Sequence, residues 1–422
     1  MIPIGADLVF LIGAILTIAY IGGRVSNRLK LPEVTGYLFA GILLKAAITW
    51  IGVIPPERFD MLLTEHLGQI PQITLAMIAF VIGGSLPIEQ LKRLGRGIAW
   101  IGLTEGFGAF VMVGVLTYLL APFVWSMPIV EGVTPTEHIL AFALLLGALS
   151  SATAPAATVA VIRELRAKGD VTTTLLGVVG LDDAVALFIF TFASAIASGL
   201  LAGAEQASVG VISTLVVPLI DVLGSAILGT AMGFLAHYGS RLFRSKRETI
   251  VGGLGFVLLS GGIAVAFGLS PLFTNMLAGF TLINLSARNM RFFRSLEDIE
   301  APIYAVFFAL AGTHLAFEDL GTLGALSAIY ILARLGGKVF GVKIGAKLGG
   351  ASQTVSKYLG LGLVPQAGVA IGLVLLVKDN PAFASFAPVM TNIILGTVAV
   401  NEIIGPPFTA YALRKAGETH SP

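Results

Sequence analysis

Apolar residues run along this chain in long unbroken blocks, separated by short polar gaps. A helix that crosses a bilayer needs about 20 mostly apolar residues. That ruler marks 6–23, 33–52, 70–88, 97–123, 139–162, 171–200, 209–238, 249–267, 270–286, 300–316, 320–346, 357–377 and 384–412. The pattern predicts an all-α polytopic membrane protein with thirteen transmembrane helices. A membrane β-barrel would show period-two alternation instead. The narrowest cut is Phe267–Pro271, which alone separates the eighth run from the ninth. The first run reads as a retained helix, since no basic region or small-residue cleavage site precedes it.

Two of the runs are interrupted. The fifth contains Ser150, Ser151, Ala152, Thr153, Ala154 and Pro155, and the twelfth contains Pro365 and Gln366. Proline removes a backbone bond and pushes the preceding residue out of the helical region. Two plain proline kinks would satisfy this pattern. A pair of discontinuous helices in corresponding places of two inverted halves also satisfies it, and that arrangement points half-helix ends at an ion site in mid-membrane. The interruptions lie seven places apart in the order of runs. The third and tenth runs share an aromatic-led, glycine-centred pattern, Phe80–Leu86 and Phe307–Leu315.

Composition agrees with a bilayer as the main solvent: 56% of the 422 residues are hydrophobic and only 12% charged. The formal net charge of +2 says little about partners, and no nucleic-acid partner is expected; the absence of cysteine excludes disulfides and thiolate metal sites. The location of the positive charges says more. Arg24, Arg28 and Lys30, then Lys92, Arg93 and Arg96, then Arg163, Arg166 and Lys168, then Arg241, Arg244, Lys246 and Arg247, then Arg288, Arg291 and Arg294, then Lys347 and Lys357, then Arg414 and Lys415 occupy every second gap. The intervening gaps hold Arg58 and Lys378. Basic residues favour cytoplasmic loops. An outside N-terminus and a cytoplasmic C-terminus follow.

Charges inside the apolar runs are costly and mark function. Asp182 and Asp183 lie mid-way along the sixth run, about 100° apart on a helix. Arg334 and Lys338 lie four apart in the eleventh, on one face. One aspartate can therefore pair with a cation while the other faces water. A buried ion pair that only locks helices together is the alternative. Acids and bases withdrawn from water are groups that exchange protons at cellular pH. A carboxylate that accepts either H⁺ or a hard cation is the simplest exchanger. Thr153 and Ser151 offer hydroxyl and carbonyl oxygens to such a cation. Glu105, Asp221 and Glu402 read as structural, with lining water or pairing with basic groups as the alternatives, Asn275 and Asn284 as path-lining or as polar glue between helices, and His314 as a solvated cap. An intramembrane aspartyl protease would need its two acids on separate helices, and an ion channel needs no paired titratable groups.

Gly180–Leu187 with its Asp-Asp pair, Ser150–Leu165 with its break, and the "RLGGKVFG" segment from Arg334 to Gly341 resemble the monovalent cation/proton antiporter superfamily of the Nha/Nap type. The resemblance covers nearly the whole chain. It implies a non-enzymatic Na⁺/H⁺ antiporter of the cell (inner) membrane without a cofactor, working as a homodimer by an elevator-like motion. It places core helices at about 70–200 and 300–412 and dimerisation helices at about 6–52 and 209–286. Asp183 would carry the ion and Asp182 would pair with Lys338, with Arg334 in support. Asp-Asp with this lysine resembles the electrogenic branch. K⁺ or Li⁺ in place of Na⁺, or a sodium-coupled organic-anion symporter, remain alternatives. Many relatives carry an aspartate before the proline of the first broken helix, where this chain has Ala154.

Overall fold

A computed structural model describes residues 8–29, 33–51, 67, 69–93, 95–126, 128, 132–202, 210–313 and 320–419. Regular structure among them is helical throughout. The first half holds α1 (Leu8–Arg28), α2 (Glu33–Ile51), α3 (Ile70–Gly84), the short α4 (Ile88–Arg93), α5 (Gly95–Val124), α6 (Pro135–Ser150), α7 (Pro155–Glu164) and α8 (Asp170–Leu201). The second holds α9 (Gly210–Gly239), α10 (Lys246–Ala266), α11 (Pro271–Leu285), α12 (Met290–Thr313), α13 (Leu320–Gly349), α14 (Gln353–Tyr358), α15 (Gly368–Asp379) and α16 (Ala387–Lys415). Among the described residues, six helices are long and apolar enough to cross a membrane: α5, α8, α10, α16 and the major parts of α9 and α13. A seventh candidate is the pair Gln353–Leu363 and Gly368–Asp379, bent by 52°.

The expected breaks are present. The fifth run divides into α6 and α7 at residues 151–154, and the twelfth into α14 with its 3₁₀ extension (Leu359–Leu363) and α15. The half-helices α6 and α15 are buried on nearly every side, as helices apolar all round must be. The cut at Phe267–Pro271 is also present: Ser270 caps α11 through Phe273 N. Asp221 accepts from Ser270 N at 2.7 Å and from the Ser225 hydroxyl at 3.1 Å, so its role is to fix this turn.

One boundary differs from the sequence reading. The tenth helix begins at Met290 rather than near 300, so Arg291 and Arg294 sit on its first turns instead of in a loop. A hydropathy ruler reads these charges as a gap. Phe292, Phe293 and Leu296 nevertheless bury themselves against α3 and α10, with the Phe293 ring stacked on Phe80 at 5.2 Å. The amphipathic pattern extends the helix.

Backbones touch where glycines allow it. A Cβ added at Gly83 of α3 would collide with the Met276 carbonyl of α11, and one at Gly312 of α12 would collide with the Leu38 carbonyl of α2. These contacts join the third run to the ninth and the tenth to the second, which are equivalent pairs under a seven-run repeat. Glycines Gly337, Gly341, Gly345 and Gly349 of α13 pack in the same way on α5. The opposite side of α5 exposes Trp100, Leu103, Phe107, Val111 and Val115, an apolar stripe suited to lipid.

The aspartate-bearing helix α8 has no side-chain cap from its own N-cap residue. Glu418, beyond the end of α16, supplies one: its carboxylate accepts from Val171 N at 2.7 Å, Thr172 N at 2.8 Å and the Thr172 hydroxyl at 2.7 Å. A carboxylate at a helix N-terminus satisfies orphan amides and the helix dipole. Glu418→Ala is expected to cost about 1–2 kcal/mol of stability, read as a lower thermal midpoint of the purified protein.

Candidate functional site

The two unwound segments meet in the buried interior. Ala154 N donates to the Pro365 carbonyl at 2.9 Å, tying one break to the other. Carbonyls at the C-terminal ends of half-helices have no intrahelical partners and carry partial negative charge. Arg334 of α13 meets this need for both halves. Its Nε donates to Ser150 O (3.0 Å), Nη1 to Val364 O (2.6 Å), and Nη2 to Ala152 O (2.7 Å) and Leu363 O (3.3 Å). One turn earlier on the same face, the Tyr330 hydroxyl accepts from Gln366 Nε2 at 2.7 Å. Gln366 also donates to Leu149 O and accepts from Asn401 Nδ2. Gln366 and Tyr330 therefore hold the crossing rather than line a path.

One turn later on α13, Lys338 is buried with 1% exposure. Its ammonium contacts four oxygens: Glu105 Oε2 (2.5 Å), Thr153 Oγ1 (2.8 Å), Ser151 O (2.9 Å) and Asp182 Oδ2 (3.3 Å). The structure thus brings Asp182, Lys338, Thr153, Ser151 and Arg334 together around one crossing. The Ser151 hydroxyl donates to Gly106 O at 3.0 Å, so this residue presents its carbonyl to the cluster. Asp183 stands beside this knot but outside it, bonded to none of the described residues, and it is less buried than Asp182. One oxygen each of Glu105, Asp182 and Asp183 is buried without a partner among the described residues.

Glu105 is the residue that sequence reasoning undervalued. It makes the shortest contact to Lys338 and is fully buried. The glycine-mediated approach of α5 to α13 places it there: a Cβ at Gly341 would collide with Thr104 O, and one at Gly337 with Gly108 O. The available signal was a carboxylate flanked by Gly102, Gly106 and Gly108 within an apolar run. Glu402 is also buried and accepts from the Thr35 hydroxyl at 2.9 Å, joining α16 to α2. Asn284 tethers the turn after α3, accepting from Ile88 N at 2.6 Å. Asn275 is buried, with both amide atoms unpartnered among the described residues. His314 lies outside the described residues.

Chemically, the site is an oxygen cage of carboxylates, a hydroxyl and a carbonyl, occupied by a tethered ammonium. Oxygens of this kind suit a hard monovalent cation or a proton. The chain and its fold have counterparts among known proteins. The chain is 23% identical to the Ammonium/H(+) antiporter subunit AmhT of Alkalihalophilus pseudofirmus over 402 residues, covering 92% of each. It is 23% identical to the Na(+)/H(+)-K(+) antiporter GerN of Bacillus cereus over 413 residues, covering 96% of each. Its fold is similar to that of the sodium proton antiporter MjNhaP1 from Methanocaldococcus jannaschii, with a TM-score of 0.71, 17% identity, and 97% and 98% of the two chains covered. The family model described as "Sodium/hydrogen exchanger, transmembrane" matches residues 13–415, so the chain belongs to that family, within the monovalent cation/proton antiporter superfamily.

Proposed function

We propose that this chain is a secondary active Na⁺/H⁺ antiporter in which the two ions compete at Asp183. The observation that carries the reading is the buried Lys338 ammonium in an oxygen cage, with Asp183 beside it and outside its hydrogen bonds. Asp183 and Asp182 supply carboxylate oxygens to Na⁺, and Thr153 supplies its hydroxyl. Within this cluster Glu105, Asp182 and Asp183 oppose Arg334 and Lys338. Three acids against two bases leave one negative charge, which one cation or one proton neutralises. Occupancy by one then excludes the other by charge as well as by space.

The wider reading rests on the family. Thirteen crossings with the N-terminus outside, an elevator-like core at about 70–200 and 300–412, and a homodimer in the inner membrane through about 6–52 and 209–286 belong to it. The close contacts between equivalent runs support the repeat on which it depends. Electrogenic exchange requires more than one proton per cation. Glu105 bears on this, because it keeps a counter-ion beside Lys338 when Asp182 turns to the cation. Ala154 removes an acid from the first break, which leaves the preference among Na⁺, K⁺, Li⁺ and NH₄⁺ to the remaining oxygens.

The test is currents on solid-supported membranes together with internal pH in reconstituted vesicles, with each cation imposed in turn across a pH series. Cation-driven proton efflux that stops when the opposing ion is withheld is expected. A flux that continues without a counter-ion would reject exchange.

A further inference from the structure

A second cluster of charge lies far along the chain from the crossing and takes no part in it. A cavity of about 630 Å³ opens between the turn joining α9 to α10 and the start of α12. Arg241, Arg244, Lys246, Arg288, Arg291 and Arg294 line it, and among the described residues no carboxylate does. Of these six cations, Lys246 alone is ion-paired among the described residues, with Asp298 on the solvent side. The neighbouring Glu248 spends its carboxylate on the Arg244 backbone amide at 2.7 Å rather than on a guanidinium. Arg241 contacts the His237 ring nitrogen and lies over the Tyr238 ring, which position the guanidinium without neutralising it as a carboxylate would.

A bias of basic residues toward one membrane side explains their number in each gap. It does not explain why two separate segments turn them into one concavity, where like charges repel. Guanidinium groups recognise phosphate through paired N–H donors. The surface beside the cavity indicates which phosphate. Leu235, Tyr238 and Leu242, at spacings of three and four, are 58%, 60% and 77% exposed. They form an apolar stripe leading to the cationic mouth. A soluble phosphate would use the cations and ignore the stripe. A phospholipid uses both, with its headgroup in the cavity and its acyl chains along the helix. We propose that this cavity binds the headgroup of an anionic phospholipid.

The full chain, purified in neutral detergent, is titrated with phosphatidylglycerol or phosphatidylcholine and followed by native mass spectrometry and thermal shift. Phosphatidylglycerol is expected to remain bound and raise the thermal midpoint, and phosphatidylcholine is not. Combined Arg288→Gln, Arg291→Gln and Arg294→Gln should weaken phosphatidylglycerol binding on the order of 10- to 100-fold. The matching Arg→Lys triple variant, which keeps the charge, should stay within about tenfold of the native chain. Arg414→Gln with Lys415→Gln, at a basic end outside the cavity, should bind as the native chain does. Undiminished binding by the Gln triple variant would overturn the proposal, as would equal retention of phosphatidylcholine. Inorganic phosphate binding as tightly as phosphatidylglycerol would assign the cavity to a free anion and overturn it too.

Discussion

Asp183→Asn is expected to abolish coupled exchange while leaving the protein folded. The amide keeps the shape of the carboxylate and loses its charge and its proton site. Asp183 is bonded to none of the described residues, so the substitution breaks no contact on which their fold depends. Losing the charge of one coordinating carboxylate is expected to lower cation affinity on the order of 100-fold, equivalent to about 3 kcal/mol. Proton exchange at that position is lost outright. Vesicles carrying the variant should show neither cation-driven pH change nor current, with unchanged yield and thermal midpoint. Full transport by Asp183→Asn would remove Asp183 as the carrier. The contrast with Asp182→Asn is informative, because Asp182 touches Lys338 and its loss alters the knot as well as the cation site.

The second large effect concerns the knot. Lys338→Met removes the ammonium that Glu105 and Asp182 share, and leaves both carboxylates without their ion-pair partner in a fully buried place. Removing one partner of a buried pair costs about 3–5 kcal/mol, because the other charge stays behind uncompensated. A steep fall in thermal midpoint is expected for this variant. Glu105→Gln removes the shorter of the two contacts and leaves Lys338 with Asp182, Thr153 and Ser151, so it should be milder. The double variant should be more stable than the sum of the two single losses, by about 1–3 kcal/mol of coupling. Additive losses would show that Glu105 and Lys338 do not act as a pair. Transport separates the roles further. If Glu105 is the standing counter-ion of Lys338, Glu105→Gln changes the charge moved per cation, read as current at a matched rate of proton flux.

How the chain announces this site differs from residue to residue. Asp182, Asp183, Arg334 and Lys338 stand out because charge inside an apolar run is costly wherever it lies. The broken helices stand out because Pro155 and Pro365 interrupt runs that are otherwise continuous. Glu105 carries the same cost, yet its run offers no partner in sequence, and Lys338 lies 233 residues away. Gln366 and Tyr330 are ordinary in composition and acquire their role only where two unwound segments cross. The start of α12 is hidden because Arg291 and Arg294 resemble a loop until Phe292, Phe293 and Leu296 are seen to share a buried side.

By itself, the sequence determined the solvent, the helical class, the places where two helices break, and which four charges had to be explained. Each of these follows from local quantities: the free energy of an apolar run in lipid, the geometry of proline, and the cost of an isolated charge. The tertiary structure decided the partners that the sequence left unnamed. Arg334 serves the carbonyls of both broken helices, and Lys338 is held by Glu105 more closely than by Asp182. The physical reason is the approach of α5 to α13, set by glycines whose missing side chains let the two backbones meet. Which oxygen lies 2.5 Å from an ammonium depends on how closely two helices pack, and spacing along one chain does not contain that distance.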